Sequence, residues 1–292
     1  MPTAAKVFLD YTQEALDRAY DQGAWVPNIE AMRQLTQTLS ADVRTRLEHF
    51  ERAYGPGPDE TLEILPTVRP RAPIVLFIHG GRWLAQPHNA FVHFADTIVE
   101  AGAHYVAARF SGLPPTPGDL RMPAIVDQLR RAIAWLHGNA ASFGGDPAQL
   151  HVIGHSSGAH LASVLLTTAW PEHGLPADAI KSGVLVSGMY ELEPVLLSAR
   201  SSYVKLSPAE ADEFSAIRHI DRLACPLLIA HGTDESPEFQ RHARDFAAAV
   251  QRAGKPARLL VAPGCNHFEI NAALADRASP VARAVLAHLG LA

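Results

Sequence analysis

The stretch Leu150-His-Val-Ile-Gly154-His-Ser156-Ser-Gly158-Ala-His-Leu161 decides how this chain is read. A largely apolar run of strand length enters the pattern Gly-x-Ser-x-Gly, and an apolar helical face (Ala159, Leu161, Ala162, Leu165, Leu166) leaves it. A strand that passes straight into a helix needs a sharp turn, where a side chain at either glycine would clash. Both glycines fit one frame only, which makes Ser156 rather than Ser157 the exposed hydroxyl. The N–H of Ser157 then stands at the helix N-terminus, where it can donate to a developing oxyanion. The pattern alone arises by accident in roughly one chain in ten of this length. The strand before it and the helix after it separate it from such an accident.

Outward from this turn the same rhythm repeats. Upstream lie strands at Thr61–Leu65, Ile74–Ile78 and Tyr105–Phe110, helices at 88–101 and Met122–His137, a loop marked by Pro114, Pro115 and Pro117, and a stop at Gly144-Gly-Asp-Pro147. The helix after Ser156 runs to about Trp170. Further downstream come strands at Gly183–Ser187, Pro226–Ala230 and Ala257–Val261, and helices at 238–253 and 272–290. Residues 1–50 read as a helical N-terminal extension, amphipathic over 11–50, and 189–223 as an irregular helical insertion. Ile74-Val-Leu-Phe-Ile78 is continuously apolar, as a strand buried on both faces must be. Alternation of strand and helix predicts an α/β fold with a mostly parallel central sheet, helices on both faces, and one domain over 1–292. Active sites of such sheets lie at the carboxyl ends of the strands.

Three further segments fall at such ends. His79-Gly80-Gly81 follows the buried strand, and glycines there let main-chain N–H groups approach a substrate; Gly80 and Gly81 are candidate oxyanion donors beside Ser157, with the N–H of Arg82 a further one. A plain Gly-Gly turn is the competing reading. Triad order in this kind of sheet is serine, then acid, then histidine. Asp234 and Glu235 are the next strand-end carboxylates after Ser156, and His267 ends the last strand region in Pro263-Gly-Cys-Asn-His267-Phe. The order makes His267 the base and leaves Glu235 and Asp234 as alternatives for the acid. Of the other 14 of the 15 histidines, His155 and His160 read as packing or hydrogen-bonded supports of the elbow, and the rest as structural or solvated. No HExxH-type pairing occurs, so neither metal nor cofactor is expected.

Composition narrows the classes. The net charge is -5, with no basic stripe, which argues against a nucleic-acid partner. No uncharged run reaches membrane-spanning length and the N-terminus lacks an apolar signal core. Two distant cysteines, Cys225 and Cys265, fit a reducing compartment. The expectation is a soluble cytoplasmic enzyme acting on a small molecule, with a homodimer left open.

Across nearly the whole chain the residues resemble the kynurenine formamidase (arylformamidase) group of the α/β-hydrolases and its esterase relatives. Leu16-Asp-Arg-Ala-Tyr20, Tyr54-Gly-Pro-Gly-Pro, Ile78-His-Gly-Gly-Arg-Trp83, Gly144-Gly-Asp-Pro147, Gly154-His-Ser-Ser-Gly-Ala-His-Leu161, Ser187-Gly-Met-Tyr-Glu-Leu192, Ser236-Pro-Glu-Phe239 and Asn266-His-Phe268 carry the likeness. The resemblance implies a Ser156, Glu235 and His267 triad, because the relatives' acid directly precedes Ser-Pro-Glu-Phe. It implies a small acyl group on an aryl amine as substrate, with Arg82 and Trp83 on the substrate side. Three departures touch that side: Arg82 replaces a common aromatic, Ser157 an alanine, and Arg109-Phe110 an Asn-Tyr pair. A carboxylesterase of short acyl esters is the alternative, and a catalytically inert binding protein on the same fold is the reading from another class.

Overall fold

A computed structural model describes residues 5–87, 91–116, 118 and 120–292. The first three positions of the expected 88–101 helix, and Pro117, lie outside the described residues. A short hairpin, β1 (Lys6–Phe8) and β2 (Tyr11–Thr12), opens the chain, followed by α1 (Gln13–Tyr20) and α2 (Ile29–Arg46). Then come β3 (Phe50–Ala53), β4 (Thr61–Leu65), β5 (Ala72–Ile78), α3 (Ala95–Glu100), β6 (His104–Ala108) and α4 (Met122–Asn139). The Ser156 turn lies between β7 (Gly145–His155) and α5 (Ser157–Leu166), with β8 (Ser182–Val186) next. The insertion holds α6 (Glu193–Leu197) and α7 (Pro208–Glu213); β9 (Leu227–Gly232), α8 (Pro237–Arg252), β10 (Ala257–Ala262), α9 (Glu269–Ala272) and α10 (Pro280–His288) complete the chain.

Eight strands form one sheet in the order β10-β9-β8-β7-β5-β6-β4-β3. The pairs from β10 through β6 are parallel; β4 and β3 join antiparallel at one edge. Every residue of β5 is buried. Its side chains alternate between two apolar clusters, Ile74, Leu76 and Ile78 on one face and Val75 and Phe77 on the other. The first face is covered by α4, α5 and α8 through Leu129, Leu161, Phe246 and their neighbours. The second is covered by α3 and α10 through Ile98, Val285 and Leu286. The register sets Ile78 opposite Gly154 and Gly154 opposite Leu185, so these strands end together on one edge.

The structure differs from the sequence expectation in several places: β7 begins at Gly145, before the expected Leu150, and α5 ends at Leu166, short of Trp170. Residues 11–50 are not one helix but two, with β3 beyond them: the Asp21 side chain accepts from the N–H of Gly23 and turns the chain after α1. The helix expected over 88–101 covers only Ala95–Glu100. The closing helix is broken, because Ser279 caps α10 through the N–H of Ala282 and Pro280 occupies its first turn. The insertion is clasped to the N-terminal extension by three long-range bonds. Gln13 Nε2 donates to Leu197 O (2.9 Å), the N–H of Ala199 to Asp17 Oδ1 (2.6 Å), and Arg200 Nη2 to Tyr20 O (2.7 Å).

Candidate active site

The elbow forms because two glycines have no room for anything else. A Cβ on Gly154 would sit 2.4 Å from Gly158 O, and one on Gly158 would sit 2.1 Å from Ile78 O. Between them Ser156 is held at φ 57°, a left-handed conformation that costs a non-glycine residue about 1–3 kcal/mol. The adjoining loop is equally close: a Cβ on Gly80 would lie 2.8 Å from His155 O and 2.9 Å from the Ser156 Cβ. Gly81, Arg82 and Trp83 all take positive φ, which folds this loop back over α5. It is latched there by the N–H of Trp83 donating to Ser157 Oγ (3.1 Å).

Ser156 Oγ lies 2.9 Å from His267 Nε2, and His267 Nδ1 lies 3.0 Å from Glu235 Oε2. All three side chains are buried. A carboxylate can only accept, so Nδ1 carries the proton and Nε2 is left to accept from the serine. The second oxygen of Glu235 accepts from Ser187 Oγ (2.6 Å) and from the N–H of Gly232 (2.6 Å), which fixes the carboxylate from the far side. Asp234, the other candidate, is exposed and accepts from Thr233 Oγ1 instead. The structure therefore brings Glu235, and not Asp234, to His267. Such a relay can accept a proton from a hydroxyl and return it to a leaving group.

The N–H groups of Gly80, Gly81 and Arg82 donate to no group among the described residues. Ser157, the first residue of α5, has its N–H outside the helical ladder. His155 Nε2 donates to the main-chain oxygen of His267 (2.8 Å); burial, and then the charge of His267, lower its pKa well below the usual value, so it is a neutral strut. Trp83 is 2% exposed, and its indole N–H donates to His160 Nδ1 (3.0 Å). His160 in turn donates from Nε2 to Phe214 O, and burial pushes its pKa down to about 4. Trp83 is thus a buried wall whose polar atom is already taken. Arg82 is exposed.

One of the three departures, Arg109-Phe110, is turned away from the site by the geometry. Arg109 pairs with Glu51 (2.6 Å) and Glu63 (3.3 Å) on the β3–β4 edge, and Phe110 stacks on His79 at 4.4 Å. Neither side chain is free for a substrate. Tyr190 is also core, stacked on Phe246. Sequence reasoning missed Ser187 as a partner of the site, while His160 is the hydrogen-bonded support it was read to be. Ser187 directly follows β8 and takes φ 54°. Cys225 and Cys265 are free. Among the described residues no helix is long and apolar enough to cross a membrane, and no group of three metal-ligating side chains is assembled.

Comparison with known proteins agrees with this architecture. The model of the prolyl oligopeptidase family matches residues 127–284, and that of BD-FAE matches 64–176. Kynurenine formamidase of Danio rerio is 28% identical, over 96% of this chain and 97% of that protein. Esterase LipQ of Mycobacterium tuberculosis is 28% identical over 82% of this chain and 61% of its own length. The crystal structure of an esterase from Pyrobaculum calidifontis superposes with a TM-score of 0.70 at 20% identity, covering 95% of both chains. The match spanning over half the chain runs from α4 into α10 and so takes in the elbow, the Glu235 loop and the His267 loop. This chain is a serine hydrolase with the α/β-hydrolase fold, and it belongs to the prolyl oligopeptidase family.

Proposed function

We propose that the chain hydrolyses a small acyl group from an aryl amine, with N-formylkynurenine or a similar aryl formamide as substrate. The observation that carries this reading is the reach of the formamidase likeness. It extends over 96% of the chain, whereas the two family models begin at residues 64 and 127 and leave out the N-terminal extension. On this reading Ser156 Oγ attacks the formyl carbon as its proton passes to His267 Nε2. Glu235 holds the resulting imidazolium, and the N–H groups of Gly80, Gly81 and Ser157 receive the oxyanion. Collapse expels the arylamine, which takes the proton from His267. Water, activated by the same imidazole, then releases formate and restores Ser156. Arg82 and Trp83 belong to the substrate side. No cofactor enters these steps.

The esterase relatives favour a second reading, cleavage of short-chain acyl esters. The two separate in kcat/KM for N-formylkynurenine beside p-nitrophenyl acetate and butyrate, with formate measured directly. A formanilide preferred over esters that have better leaving groups requires specific binding of its transition state. Good ester turnover with an untouched formanilide replaces the first reading by the second.

A further inference from the structure

Arg200, on the insertion, is 4% exposed, and no carboxylate of the described residues pairs with it. A guanidinium has five N–H donors. Here Nη2 donates to Tyr20 O (2.7 Å) and Nη1 reaches only the thioether of Met189 (3.5 Å), a weak acceptor. Nε is buried with no partner. Around the charge stand the rings of Tyr20, Trp83 and Phe239 at 5.3, 5.8 and 5.8 Å. Two of these walls belong to the site: Trp83 is latched to Ser157, and Phe239 lies 4.8 Å from the His267 ring. The hydroxyl of Tyr203, three residues on, is also buried without a partner. Burial lowers the pKa of Arg200, against Tyr203, Tyr20 and, more weakly, Asp21; burial raises that of the Tyr203 phenol, against the charges of Arg200 and Arg82. Arg200 thus stands against two walls of the site with a bare Nε, and among the described residues no carboxylate hydrogen-bonds or ion-pairs with it.

Burying an unpaired charge is costly, and removing one partner of a buried pair leaves just this state. A guanidinium beside a hydroxyl is the donor set that a carboxylate fits. We propose that Arg200, with Tyr203 and Arg82, seats a carboxylate carried by the substrate, so that this hydrolase selects substrates that bear one. The inference rests on the acyl-transfer reading above and adds the charge of the molecule that is cleaved.

Two substrate pairs differing in one carboxylate test it: N-formylkynurenine against its methyl ester, and 4-acetoxybenzoate against methyl 4-acetoxybenzoate. The preference for the carboxylate-bearing member of each pair, taken as a ratio of kcat/KM, is expected to fall on the order of 10- to 100-fold in Arg200→Gln, as loss of a charged hydrogen bond predicts. The fall is carried by KM, and Tyr203→Phe and Arg82→Gln lower the ratio less. Equal losses on both members of a pair would overturn the proposal. Should Arg200→Gln not fold, Tyr203→Phe decides by the same ratio, and an unchanged ratio overturns it. Calorimetric titration of Ser156→Ala with 4-acetoxybenzoate and its methyl ester reads binding without turnover. Tighter binding of the anion is expected, and equal affinity refutes the seat. Absence of turnover on all four compounds would count against the proposed activity alone, and the titration would still judge Arg200.

Discussion

At the scale of single residues the site turns on which carboxylate faces His267. Glu235 is buried with both oxygens engaged, while Asp234 lies in solvent. Glu235→Gln is expected to lower kcat on the order of 10⁴-fold, because an amide can present the wrong group to the imidazole. Asp234→Asn should change kcat by less than about 2-fold, as surface substitutions do. Steady-state kinetics of the two variants check the ranking, and the reverse order would move the acid to Asp234. Ser187 is a positioning residue: its hydroxyl holds Glu235 from behind at 2.6 Å. Loss of one hydrogen bond to a charged group predicts a drop of roughly 10-fold in kcat for Ser187→Ala with KM little moved, and Ser187→Thr should restore part of it. The serine and histidine were legible because order along the chain constrains them. Ser187 was not, since nothing in a Ser-Gly after a strand says that its hydroxyl points at a carboxylate 48 residues later, past the next strand.

Strands and helices were legible where one period held long enough. The central strand β5 is apolar and buried throughout, and the apolar centres of β7, β8 and β9 appeared where expected, because burial on both faces leaves little room for other residue types. Helix ends were read less well. Runs of good helix formers over 11–50 and 272–290 hid local stops, a side-chain bond at Asp21 and a capped proline at Pro280, that outweigh average propensity. The edge strand β3 has mostly exposed residues, so it gave no apolar alternation to detect. Packing of α5 against β5 makes its own prediction. Gly158→Ala would force a methyl onto the main chain of Ile78 and should destabilise by roughly 1–3 kcal/mol. Gly138→Ala on α4 meets nothing within 4 Å and should stabilise by about 0.5–1 kcal/mol. Denaturant midpoints measure both, and similar effects at the two positions would contradict the close contact.

The molecule as a whole buries an unusual set of neutral histidines. Burial pushes His151 and His160 down to about 4, holds His155 and His242 well below 6.5, and lowers His104 and His288. In the unfolded chain these groups titrate near 6.5, so below that pH the unfolded state binds more protons than the native one. Stability then rises with pH through this range: it is fully present above about 6.5 and is lost as pH falls toward about 4. Each such histidine adds a slope of up to about 1.4 kcal/mol per pH unit. Unfolding free energies between pH 6.5 and 5 should show an uptake of roughly three protons or more; an uptake of one or fewer would mean that these imidazoles are not desolvated.

The clasp between the N-terminal extension and the insertion also sets an order in time. Its bonds join residues 180 to 184 positions apart, through segments that flank the sheet rather than belong to it. Contacts between remote segments wait for the chain between them to settle, since loop closure is entropically opposed until other contacts shorten the path. A refolding chain should therefore become a hydrolase before it becomes a discriminating one. In samples taken during refolding, cleavage of an uncharged ester should return first and preference for its anionic twin later, whereas simultaneous recovery would show that the clasp closes with the sheet.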